Sequence, residues 1–232
     1  MKRVLLTCVL LILAAAQPSP AQAPTAAEIL QNMKKQFESV KDYTATLKVA
    51  VDMERMQIPE MVVTIYFKQP DKIHIEAKNF AMVPREVAAM NPAQFIDKFD
   101  ATVVGTQQKE NATVYKLRLL SKPEKGKPVR ESFIWVDGAR WVVIHYESTP
   151  SDVRKVAVDF EYMSVDGKYT LPSKIEARME TQQPADSSAE RMYSPQRLPR
   201  KGTATIIYSD YKVNTGLSDV IFEKKNQKAG NQ

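Results

Sequence analysis

The side chains able to do chemistry are few and far apart. There are two histidines, His74 and His145. Each sits in an extended-looking segment with no second ligand-type residue at a metal-binding spacing. The carboxylates Asp52, Glu54, Asp159, Glu161, Glu176 and Glu180 could meet in space for acid–base work, but they alternate with apolar residues, as a solvated strand face does. The sequence contains no His-Glu-x-x-His helix, no Gly-x-Ser-x-Gly elbow and no dinucleotide fingerprint. Its 7 glycines lie mostly at turns, which leaves little for a phosphate loop. No catalytic residue, metal ligand or cofactor is expected. A hydrolase would need His74 or His145 beside a serine and a carboxylate in a cleft.

The one cysteine, Cys8, falls in an N-terminal stretch with the marks of a secretory leader. Lys2-Arg3 is followed by the apolar run Val4 to Ala16, then by small residues, with Ala21-Gln22-Ala23 a candidate cleavage site and Ala16 another. Cys8 lies inside the apolar run rather than at its end, so no lipid anchor is expected. Residues 1–23 read as a signal peptide and 24–232 as one exported domain, periplasmic in location. That domain has no thiol for a disulfide or a metal. No later segment is apolar for long enough to span a bilayer.

Lys2 and Arg3 carry two of the six net positive charges, so the remainder is only mildly basic. Its cations are spread along the strands, apart from Lys224, Lys225 and Lys228 in a tail, 224–232, that reads as frayed. Nucleic-acid binding would need a concentrated basic stripe with aromatics, so no nucleic-acid partner is expected.

The elements that would position these side chains are mainly strands. Thr25-Ala26-Ala27-Glu28 has the form of a capping box, and Ile29, Leu30, Met33, Phe37 and Val40 share one helical face behind it. From Tyr43 the period changes to two. Val63, Ile65 and Phe67 oppose Thr64, Tyr66 and Lys68; after a Gln69-Pro70-Asp71 corner, Ile73, Ile75 and Ala77 oppose His74, Glu76 and Lys78. Pro84 and Pro92 bracket one or two short helices containing Val87 and Met90. Strands resume over 101–107, 113–120, 131–136, 140–146, 154–162, 174–180 and 203–211. Asp137-Gly138 and Asp166-Gly167 serve as hairpin corners, and 181–202 forms a long proline-containing loop. The fold class is mainly β with helices (α+β): a large curved antiparallel sheet, an incomplete or half β-barrel, with an N-terminal helix and short inserted helices over a hydrophobic cavity.

Order and spacing also carry a resemblance. Tyr43-Thr44-Ala45-Thr46, the strand Val62 to Phe67 and Lys68-Gln69-Pro70-Asp71-Lys72-Ile73 resemble the opening of the LolA-like, or outer-membrane lipoprotein-sorting, superfamily. Phe160-Glu161-Tyr162, the run Val165 to Ile175 and the run Tyr211 to Phe222 resemble its closing strands. The resemblance implies a periplasmic protein whose half-barrel holds acyl chains of lipid or lipoprotein under a helical lid, exchanging them with inner- or outer-membrane partner proteins. The cavity walls would then be Leu47, Val49, Met61, Val63, Ile65, Phe67, Ile73 and Ile75, and the lid and corner Gln69, Pro70, Val87 and Met90. Lipoprotein carriers of this family have an arginine just before the corner proline, where Gln69 stands. A divergent relative is therefore expected rather than the housekeeping carrier. The alternative is an interaction or sensor module of the same fold, with a filled core and no cargo.

Overall fold

A computed structural model describes residues 23–54, 56–77, 98–109, 112–126, 128–151, 154–181 and 201–223. Residues 1–22 of the expected leader, the expected short helices with Val87 and Met90, residues 182–200 of the expected loop and the 224–232 tail lie outside them. Thr25 caps helix α1 (Ala26–Glu38) with both halves of the capping box in place. The Thr25 hydroxyl accepts from the Glu28 amide, and the Glu28 carboxylate accepts from the Thr25 amide at 2.7 Å. Ile29, Leu30 and Met33 form the buried stripe of α1, which packs against the sheet because a helix with one apolar face must cover it.

Eleven strands follow: β1 (Asp42–Met53), β2 (Met56–Gln57), β3 (Met61–Lys68), β4 (Lys72–Ala77), β5 (Phe99–Lys109), β6 (Ala112–Ser121), β7 (Glu131–Asp137), β8 (Val142–Ser151), β9 (Arg154–Val165), β10 (Tyr169–Thr181) and β11 (Lys201–Val213). A short helix, α2 (Val220–Glu223), comes last. The sheet runs β4-β3-β1-β11-β10-β9-β8-β7-β6-β5, with β2 paired to β1. Every pair is antiparallel. β4 and β5 end the order without pairing to each other, so the sheet is open, and α1 makes contacts with the far edge strand β5. The long β1–β11 ladder, Leu47 opposite Tyr208 and Val49 opposite Ile206, joins the first strand to the last.

Most strands run a few residues beyond the sequence reading, as β10 does at 169–181 against 174–180, and two departures change a turn or a loop. The 140–146 segment was expected to be strand throughout, but Trp141 closes a turn at φ 54°, its amide donating to Asp137 O at 2.7 Å, and β8 begins at Val142. Asp137 drives this: its carboxylate accepts from the Ala139 amide at 2.8 Å and from Arg140 Nε at 2.8 Å, which makes a longer Asx-type turn than a two-residue hairpin. At the other corner Asp166 and Gly167 both have positive φ, 53° and 64°, as a primed turn requires. The expected loop 181–202 is also shorter at both ends, because Thr181 completes β10 and Lys201 opens β11.

Candidate functional site: the concave face and its rim

The inward residues of the strands form one apolar layer. Leu47, Val49, Val63, Ile65 and Phe67 are at most 2% exposed and cluster with Ile29 and Met33 of α1; Met61, Ile73 and Ile75 are half-buried beside them. Phe67 stacks on Tyr43 at 5.1 Å and meets Phe37 at 5.5 Å. All eight expected wall residues therefore stand on the inner layer, with the central five covered by side chains of the chain itself.

Gln69 and Pro70 lie at the opposite end of the sheet from the place where the chain leaves β4 toward Val87 and Met90, which are outside the described residues. The Gln69–Pro70 peptide is cis and Pro70 is exposed. Gln69 Nε2 donates to Phe37 O at 3.1 Å and Val40 O at 2.8 Å, so the amide takes up carbonyls at the end of α1. Beside it, the buried Asp42 carboxylate accepts from the amides of Thr215 (2.8 Å), Gly216 (3.1 Å) and Leu217 (3.3 Å). Lys68 Nζ reaches Leu217 O and Asp219, both at 2.7 Å, which fixes the segment before α2 to β3.

At the other end, the layer opens into a cavity of about 260 Å³ under β5–β9. Phe99 pairs with Ser121, Ser132 with Ser148, and Ser148 with Val156, so small hydroxyl side chains occupy inward positions where Leu119, Ile134 and Tyr146 stand deeper in the same strands. Tyr146 and Val156 supply apolar wall. Ser132 is buried and its Oγ has no hydrogen-bond partner among the described residues. These residues were missed in the sequence. The signal was a serine in the inward phase of an apolar strand, as in Leu117-x-Leu119-x-Ser121 and Ser132-x-Ile134-x-Val136. A smaller gap of about 40 Å³ lies between Met33 and Phe37 of α1, Trp141 of the β7–β8 turn, and Phe160 and Tyr162 of β9.

The outer face is polar. An open cleft of about 1020 Å³ runs along its rim over Phe133, Lys155, Arg178 and Lys201, and shares Arg130, Glu131, Ser148 and Val156 with the inner cavity. His145 is held between two carboxylates, Nδ1 to Asp159 at 2.5 Å and Nε2 to Glu147 at 3.2 Å, with Trp135 edge-on at 4.8 Å. Burial alone would raise the Asp159 carboxyl, but His145 and Arg178 hold it below the ordinary range. Both ring nitrogens of His145 thus face acids rather than a serine, while His74 packs on Tyr66 at 5.7 Å. Among the described residues no group of acids, histidines or cysteines could hold a metal ion, and no helix is long and apolar enough to cross a membrane.

No protein-family model and no curated protein matches the sequence. Among solved structures, the chain is similar to a LolA superfamily protein from Nitrosomonas europaea, with a TM-score of 0.51 and 11% identity over 86% of this chain and 98% of that one. The fold is LolA-like. A DUF1329 family protein from Desulfovibrio piger is similar to the same extent, with a TM-score of 0.54 and 13% identity over 84% of this chain and 96% of that one. At such identities what this chain shares with both is the fold.

Proposed function

We propose that the protein is an exported, divergent relative of the LolA-like carriers that binds acyl chains of lipid or lipoprotein on its concave face, without catalysis, in the periplasm. The observation that carries this reading is the continuous apolar inner layer ending in a cavity at the rim. Burial would supply the affinity: each methylene withdrawn from water contributes about 0.8 kcal/mol, and no specific polar contact is needed. Leu47, Val49, Met61, Val63, Ile65, Phe67, Ile73 and Ile75 are the walls that cargo would reach as α1 lifts. Transfer of cargo to or from membrane partner proteins follows from the same reading.

One observation favours a second reading. The five central wall residues are sealed beneath α1, as they would be in an interaction module whose core is filled. Native mass spectrometry with lipid extraction, on protein purified from its own periplasm, separates the two. A co-purifying acylated species, reduced when the half-buried Val156 is changed to Glu, is the result expected of a carrier. Protein free of lipid, under conditions that keep lipid in a known carrier, would move the assignment to the module.

A further inference from the structure

The inner cavity and the outer cleft meet along the ends of β7, β8 and β9, and the two sides of that boundary differ in chemistry. Inside are Phe99, Tyr146, Val156 and three serines. Outside, most of the charges are already paired. Glu131 is bound by Arg118, Glu147 by His145 at 3.2 Å, and Glu180 by Lys201 at 3.7 Å, while Arg178 is bound to Asp159 and Glu176. Arg130 and Lys155 stand outside those pairs. Arg130 lines both spaces, and Lys155 lines the cleft beside Val156. Ser132 adds an independent sign, since its buried hydroxyl has no partner among the described residues. A buried hydroxyl is costly to leave unsatisfied, and a ligand oxygen or a water carried in with it would supply the missing bond.

We propose that this rim binds a single-chain anionic amphiphile, its acyl chain in the inner cavity and its head group against Arg130 and Lys155. The assignment rests on the acyl-binding reading above and narrows it to a ligand class. Size favours one chain: about 260 Å³ falls below the roughly 300–1,000 Å³ of sites that enclose a whole drug-sized molecule. Charge selects the head group. Two cations that form no ion pair among the described residues favour a carboxylate or a phosphodiester over an uncharged glycerol, and a guanidinium can hold either with two parallel hydrogen bonds.

The test uses isothermal titration calorimetry on the full exported protein, delipidated, with three probes below their micelle concentrations: laurate, lauroyl-lysophosphatidylglycerol and uncharged monolaurin. At least one anion is expected to bind about tenfold tighter than monolaurin, and the order of the two anions distinguishes a free fatty acid from a lysolipid. The double variant Arg130→Gln, Lys155→Gln changes exposed side chains only; it is expected to abolish the preference, bringing the anions to the affinity of monolaurin. Ser132→Leu, checked for an unchanged circular dichroism spectrum, fills the cavity and is expected to weaken all three. Equal binding of the three probes, or a preference that survives the double variant, overturns the head-group assignment while the carrier reading stands. Absence of binding by every probe overturns the assignment too, and the carrier reading falls with it only if the periplasmic protein also carries no acylated species.

Discussion

Gln69 Nε2 lies 2.8 Å from Val40 O and 3.1 Å from Phe37 O, so one side-chain amide from the β3–β4 corner closes the C-terminal end of α1. The last carbonyls of a helix have no partner within it, and here the sheet supplies one. Gln69→Ala is expected to cost about 1–2 kcal/mol in urea unfolding. It is also expected to lower hydrogen-exchange protection in α1 more than in β1. Equal loss in both elements would mean that the amide serves the whole fold rather than the helix.

Asp42 has a comparable role for the segment after β11. Its carboxylate collects three successive amides, from Thr215 to Leu217, in a buried position. Asp42→Ala leaves those donors facing a gap and is expected to cost about 3 kcal/mol, whereas Asp42→Asn keeps an acceptor and is expected to cost less. Equal denaturation midpoints for the two variants would contradict the account.

Much of the fold is legible in the sequence because each strand buries one face and solvates the other. Val63, Ile65 and Phe67 announce their side by alternation alone. The capping box at Thr25 and the Asp166-Gly167 corner are equally local signals. What alternation does not carry is pairing at long range, such as β1 on β11, or the bulges that reset its phase. In β11, Asp210 takes φ 53° and the β1 register shifts there, so Tyr208 and Tyr211, three apart, are both buried or half-buried beside Tyr43. The rim cavity was hidden for a related reason. Ser132 and Ser148 look like solvated residues until register places them opposite one another on the inner face. Gln69 is visible in the sequence as a corner residue before Pro70, but its two contacts with α1 depend on where the helix ends.

The outer face predicts a pH dependence. Burial by itself would raise the carboxyls of Asp137 and Asp159, yet Arg140 and the Ala139 amide hold the first, and His145 and Arg178 the second, below the ordinary 3.8. A carboxyl with a lower pKa folded than unfolded contributes stability that is complete above the unfolded value and is lost as pH falls through the folded one. Urea midpoints are therefore expected to hold near neutrality and to fall below about pH 4. Asp159→Asn is expected to lower the neutral midpoint and make the acid decline shallower. An acid limb of unchanged slope would remove the His145–Asp159–Arg178 group from the explanation.

The inner wall yields the last prediction. Ile65 is fully buried and Ile75 only half-buried. Ile65→Ala is accordingly expected to cost about 3 kcal/mol, within the range for emptied core sites, and Ile75→Ala about 1 kcal/mol. These costs apply whether the wall is core or cargo site, so stability alone does not separate the two readings. Access does, because Leu47 and Ile65 share a cluster with Ile29 and Met33, and a chain reaching them must displace α1. With an acylated cargo bound, the amides of 26–38 are expected to lose hydrogen-exchange protection while those of β7 and β8 keep theirs. If α1 stays protected in a loaded protein, cargo is confined to the rim cavity, and the β1–β3 wall is structural core.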